Sequence, residues 1–200
     1  NLEKHSLRKI MSKKEIIDSF NQSIELIQQS ISLEKEIGKT IKLIIKSLKS
    51  GHKIVIFGNG GSAADSQHIA AELIGRFKIE RNSFPAIALT TDSSIITSLS
   101  NDYSFDMVFS RQCESIVKKG DIILGISTSG NSVNVKNGLI TSKNKGAITI
   151  GLLGNKGGNI KKVSDISIII NSSSTAKIQE VHRIIYHIIC EFVEKELSKI

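Results

Sequence analysis

Residues 53–73 read KIVIFGNGGSAADSQHIAAEL, and the passage from apolar run to glycine turn to amphipathic helix within them decides the fold. The run at 53–57 has the length and β-branched content of a strand buried on both faces. Gly58, Gly60 and Gly61 permit a reversal with φ > 0, and Ser62 is expected to cap the following helix, whose first amides then point back at the turn. His68 and Glu72 stand four apart on that helix and share one face.

Outward from this unit, apolar runs recur at 85–90, 121–127, 147–153 and 165–171, separated by segments of helical length. Five strands of this kind, each expected to be buried on both faces, predict an α/β fold: a doubly wound, flavodoxin-like five-stranded parallel sheet of order 2-1-3-4-5. Residues 1–50 carry a single glycine, no proline and a helical apolar period. Ser12-Lys-Lys-Glu15 is a candidate capping box ahead of Phe20, Ile24, Ile27 and Ile31, and a second run over 33–48 stops at Ser50-Gly51. An N-terminal helical hairpin packed on one domain over 1–200 is therefore expected, with a closing helix over about 176–198.

Composition narrows the function. The net charge of +8 is dispersed, with ten Lys/Arg against six Asp/Glu in residues 1–50, and aromatics make up only 4%. That argues against a nucleic-acid surface and for a mild attraction to anionic metabolites. No apolar run reaches the ~20 residues of a membrane span, and no signal-peptide pattern opens the chain, so a cytoplasmic protein without a membrane partner is expected. Cys113 and Cys190 lack metal-ligand spacing and read as reduced core residues.

In the predicted order, the loops at 58–62 and 127–132 flank the point where the winding direction switches. Ser127, Thr128, Ser129 and Ser132 surround Gly130 just before a helix starting near Val133, so hydroxyls, amides and a helix dipole can converge on one phosphate. No Walker lysine is present, which suits a phosphate monoester. Gly58-x-Gly60-x-x-Ala63 fits a dinucleotide fingerprint, but the acidic residue expected about 20 positions on is missing. In the closing helix, His182 and His187 lie about 140° apart, so only one can point inward; His187, within the apolar run IIYHIIC, is the expected one. Wheel geometry aligns Glu180 with His187 better than Gln179, and spacing leaves that choice open. His68, Glu72 and His187 could serve as nitrogen and oxygen ligands for a metal such as zinc, or as an acid/base pair.

The segments GNGGSAADSQHIAAELIGRF, SNDYSFDMVFSRQ, GDIILGISTSGNSVNV and IQEVHRIIYHI resemble, in order, the phosphoheptose isomerases of the sugar isomerase (SIS) family. The resemblance implies a homotetramer converting sedoheptulose 7-phosphate to glycero-manno-heptose 7-phosphate for bacterial surface heptose, in lipopolysaccharide core or capsule. It implies that Ser127, Thr128, Ser129 and Ser132 hold the phosphate, and that Asn59, Gly60, Gly61, Ser62, Asn101, Asp102, Glu72 and Gln179 bind substrate. It also implies one zinc per subunit on His68, Glu72, Gln179 and His187, favouring Gln179 over Glu180, with Glu72 and His187 as the acid/base residues. At Ala176 the family pattern carries an acid. A non-catalytic relative, a sugar-phosphate sensor or a DnaA-associated adaptor, would keep the fold and could lose the Gln179/His187 chemistry.

Overall fold

The three middle strands have no solvent-facing side, and everything else is arranged to cover them. In the computed structural model, which describes residues 12–199, β1 (Ile54–Gly58), β2 (Ala86–Ala88), β3 (Ile122–Ser127), β4 (Ile148–Gly154) and β5 (Ile166–Ile170) form one parallel sheet of order β2-β1-β3-β4-β5. The predicted order is the observed one. Burial on both faces holds along β1 and β3 and nearly all of β4, whereas the edge strands β2 and β5 alternate. An edge strand lacks a neighbour on one side, so helices cover its faces less completely.

The hairpin is built from α1 (Lys13–Ser30) and α2 (Glu34–Lys49), joined by a 3₁₀ turn at Ile31–Leu33. The capping box forms as predicted: the Glu15 amide donates to Ser12 Oγ at 3.2 Å and the Ser12 amide to Glu15 Oε2 at 2.6 Å. The remaining helices are α3 (Gly61–Ile74), α4 (Ser93–Asp102), α5 (Val108–Ile116), α6 (Val133–Asn144) and α7 (Thr175–Leu197). Leu26, Ile37 and Ile44 of the hairpin, Ile69 and Leu73 of α3, and Ile178, Ile185 and Val193 of α7 share one core against one sheet face. Phe109 and Cys113 of α5 and Val135 and Leu139 of α6 form the core on the other. Both cysteines are buried and free. Among the described residues no helix is long and apolar enough to cross a membrane.

Two local expectations are overturned. Helix α3 begins at Gly61 with Gly60 in the cap position at φ 55°, a left-handed conformation that glycine supplies, so Ser62 lies inside the first turn and caps nothing. It is buried beneath Gly58, where a Cβ on Gly58 would come within 2.7 Å of the Ser62 Cβ. On α7 the inward histidine is His182, fully buried, and not His187, which is half-buried. The buried stripe runs Ile178, Val181, His182, Ile185, Tyr186, Ile189, Cys190 and Val193. Ile184 and Ile188, the apolar neighbours that pointed to His187, lie on a second, exposed apolar face.

Helices α3 and α7 run side by side in the same direction, fastened at their C-terminal ends by a buried ion pair. Glu194 accepts the amides of Phe77, Lys78 and Ile79 at 2.8, 2.6 and 3.0 Å and the Arg81 Nε at 3.1 Å. Burial by itself would raise the Glu194 pKa, but the three amides and Arg81 outweigh it and hold the carboxyl below the usual range. Arg81 also donates to the Glu72 and Leu73 carbonyls, at 2.9 and 2.8 Å, tying the loop to the end of α3. Removing one partner of such a pair strands the other without water, so Glu194→Ala is expected to cost about 3–5 kcal/mol in chemical denaturation. A loss below 1 kcal/mol, on the order of a surface ion pair, would contradict this account.

His182 carries a second energetic consequence. Among the described residues neither ring nitrogen has a hydrogen-bond partner, and burial pushes its pKa down to about 4. Between that value and the ordinary ~6.5 the unfolded chain binds the extra proton, so stability is full above the upper limit and is lost as pH falls. Urea denaturation should show about 2 kcal/mol lost from this group between pH ~7.5 and ~5, absent in His182→Leu. The same pH dependence in both proteins would refute it.

Candidate functional site

The C-terminal ends of β1 and β3 lie side by side, with Gly58 paired in register to Ile126, and the loops that follow them meet. Asn59 and Asn134 exchange side-chain hydrogen bonds of 2.8 and 2.9 Å, a reciprocal amide pair joining the glycine loop to the first turn of α6. Asn134 was not among the sequence-predicted residues, because its partner is 75 positions away and no local spacing marks it.

Behind this pair the serines cluster. Ser127 Oγ lies 2.9 Å from Ser132 Oγ and 3.4 Å from Ser129 Oγ, and the Gly130 amide donates to Ser127 Oγ at 3.2 Å. Gly130 has φ 68°, and a Cβ there would come within 2.4 Å of the Gly157 backbone, so only glycine lets the loop close. Ser132 occupies the α6 cap position without using its hydroxyl as a cap, which leaves that hydroxyl and the first α6 amides facing the same space. The Thr128 carbonyl accepts from Asn155 Nδ2 at 3.0 Å. Such a cradle of donors at a helix N-terminus can hold a dianionic phosphate.

One helical stretch further along, side chains of α3 and α7 converge. His68 Nε2 is 2.9 Å from Glu72 Oε1 and 3.4 Å from His187 Nε2, and single ligand atoms of the three residues lie within 4.8 Å of one another. This donor set of two imidazoles and a carboxylate fits a divalent metal such as zinc. Burial and the neighbouring His68 hold His187 below the usual imidazole pKa, which favours a neutral ring with a lone pair. Phe77 packs near the same ring, with centroids 5.7 Å apart.

Gln179 does not join this trio within the chain. It sits against Gly61, where a Cβ would fall 2.3 Å from its Nε2, and eight residues of helix, about 12 Å, separate it from His187. Glu180, which wheel geometry aligned with His187, is turned to α1: it accepts from Ser23 Oγ at 2.7 Å and pairs with Lys177 at 3.3 Å. Of the other predicted residues, Ser62 is buried under Gly58, and Asn101 and Asp102 are exposed at the end of α4, bonded to each other at 2.9 Å. Ala176 is exposed in the first turn of α7.

Comparison with known proteins agrees with this architecture. The SIS domain family matches residues 18–154. The chain is 47% identical over 187 residues to a phosphoheptose isomerase of Geobacter sulfurreducens, covering 91% of this chain and 99% of that protein. The solved structure of a phosphoheptose isomerase from Neisseria gonorrhoeae superposes with a TM-score of 0.87 at 36% identity, over 92% of this chain and 98% of that one. One from Francisella tularensis gives 0.88 at 32% identity, over 92% and 100%.

Proposed function

The chain belongs to the phosphoheptose isomerases of the SIS family, and we propose that it converts sedoheptulose 7-phosphate to glycero-manno-heptose 7-phosphate through an enediol. The observation that carries the reading is the pairing of a serine-rich anion cradle at the ends of β1 and β3 with a His68/Glu72/His187 cluster one helical stretch further along α3 and α7. Ser127, Thr128, Ser129 and Ser132 hold the phosphate, and Asn59, Gly60, Gly61, Asn101, Asp102 and Gln179 contact the sugar. Phosphate binding at one end fixes the reacting carbons at the other, so distant binding energy serves orientation.

Glu72 reaches His68 through Oε1, leaving Oε2 to act as base. It takes the C1 proton of the ketose and returns it to C2. His187 takes the O1 proton on its lone pair and passes it to O2, so the carbonyl moves from C2 to C1 with no net gain or loss of atoms. Zinc held by His68, Glu72 and His187, when bound, would polarise the carbonyl and stabilise the developing oxyanion. A phosphorylated sugar does not cross membranes unaided, which supports a cytoplasmic reaction supplying heptose for lipopolysaccharide core or capsule. The chain keeps Gln179 and His187, which an adaptor would not require.

The homotetramer is supported by apolar surface. A groove of about 650 Å³ between the hairpin and α7 is lined by Ile31, Ile37, Ile41, Ile184, Ile188 and Phe192, and Phe20 and Ile31 are 67% and 70% exposed. Surfaces of this kind mark contacts between chains. A four-ligand set that includes Gln179 also needs the amide from another copy, because of the helical distance within one.

The base assignment is tested by Glu72→Gln, which keeps the volume and removes the base: conversion of sedoheptulose 7-phosphate, followed by NMR, should be lost while inorganic phosphate still binds. Ser132→Ala should instead weaken substrate binding about tenfold or more, the worth of a hydrogen bond to a charged group. Retention of most kcat in Glu72→Gln would sink the assignment. Light scattering at micromolar concentration should report four chains, and a monomer would remove the interface.

A further inference from the structure

Behind His68, on the side away from Glu72, lies a hydrogen-bonded chain that the reaction above does not use. Tyr186 Oη is 3.1 Å from His68 Nδ1 and 3.3 Å from Asp65 Oδ1. Arg183 Nε donates to the same hydroxyl at 3.1 Å, and Arg183 Nη2 lies 3.5 Å from Asp65 Oδ1. Asp65 and Tyr186 are 2% and 1% exposed, so water does not compete for their hydrogen bonds.

Proton counting decides how this chain is wired. Asp65 can only accept and Arg183 can only donate, so the single Tyr186 hydroxyl proton goes either to Asp65 or to His68 Nδ1. Given to His68, it leaves a buried carboxylate with the distant Arg183 contact alone, a costly arrangement. Given to Asp65, it leaves the Tyr186 oxygen free to accept from both Arg183 Nε and a His68 Nδ1–H, and every group is satisfied. With its proton on Nδ1, His68 presents a bare Nε2 to Glu72 Oε1 and to His187 Nε2. With the His187 proton on its own Nδ1, three acceptors then face one another, an arrangement that a cation between them relieves.

We propose that Asp65 and Tyr186 are positioning residues that fix the His68 tautomer and ring orientation, so that Nε2 is delivered as a metal ligand. This rests on the metal reading of the His68/Glu72/His187 cluster. It adds a supporting layer on α3 and α7 that orients a ligand without touching substrate, in the way that carboxylates and carbonyls support other metal-bound imidazoles.

Two measurements on the protein separate the proposal from the reading beneath it. Zinc titrated against a chromophoric chelator should bind about 10–100-fold more weakly to Tyr186→Phe than to the parent, the usual effect of losing such support. In chelated protein, ¹⁵N NMR of the imidazoles should find His68 as the Nδ1–H tautomer in the parent and as the Nε2–H tautomer, bonded to Glu72, in Tyr186→Phe. Asp65→Asn, whose amide can donate to the Tyr186 oxygen, should turn the hydroxyl proton towards His68 and reverse the tautomer in the same sense. Unchanged thermal unfolding and inorganic phosphate binding establish that a variant is folded, and Asp65→Asn carries the test if Tyr186→Phe does not fold. If the parent binds no zinc, the metal reading fails and the tautomers alone decide the wiring. Equal zinc affinity with an unchanged His68 tautomer in a folded variant overturns the proposal.

Discussion

The close parallel contact between α3 and α7 is the constraint on which the site depends. These helices are more than a hundred residues apart in sequence, and the winding of the sheet brings them together: α3 follows β1, and α7 leaves edge strand β5 and returns across the same face. Gly61 lets the amide of Gln179 rest on the α3 backbone, since a Cβ would fall 2.3 Å from it. Once the first rung is set, the common direction of the helices sets the rest. Asp65 meets Tyr186, His68 meets His187, and the loop after α3 meets Glu194. An antiparallel pair would bring His68 opposite a different part of α7.

Two kinds of order are thereby superposed. At the strand ends the donors are mostly backbone amides and short hydroxyls on loops held by Gly130 and by the Asn59/Asn134 pair. Along the α3–α7 seam they are long side chains whose directions come from helical pitch. The first kind suits an anion of fixed shape, and the second suits chemistry in which the position of a proton or lone pair matters. The Arg81–Glu194 clamp serves the second kind, because it closes the far end of the seam beside the Glu72 carbonyl and Phe77.

Features governed by local pattern were legible in the sequence. The strand order, the Ser12/Glu15 capping box and the start of α6 at Val133 follow from periodicity, cap chemistry and loop composition. Those that depend on tertiary partners were not. Ser62 looks like a cap until Gly60 adopts a positive φ and starts the helix earlier. His187 lies among isoleucines, yet the apolar surface of α7 is wider than the core it covers, so the deepest histidine is His182. No local spacing pairs Asp65 with Tyr186 or Arg81 with Glu194, because their partnerships span more than a hundred positions. The choice between Gln179 and Glu180 came from family resemblance; within the chain Glu180 turns to Ser23 and Lys177 and Gln179 rests on Gly61, so neither reaches the trio.

Ala176 sharpens the role left to Glu72. With alanine at this position, the first turn of α7 holds no carboxylate, and its charged residue is Lys177, bonded to Ser23 at 2.6 Å. The other acids near the seam are committed: Asp65 to Tyr186 and Arg183, Glu180 to Ser23 and Lys177, and Glu194 to three amides and Arg81. Each is therefore held as an acceptor and is a poor candidate for taking a proton from carbon. Glu72 is half-buried, with one oxygen 2.9 Å from the Nε2 of a histidine that is itself held from behind. If the base comes from this seam within one chain, that second oxygen is where the carbon-bound proton goes, and the positive end of α7 is left to favour the substrate's negative charge.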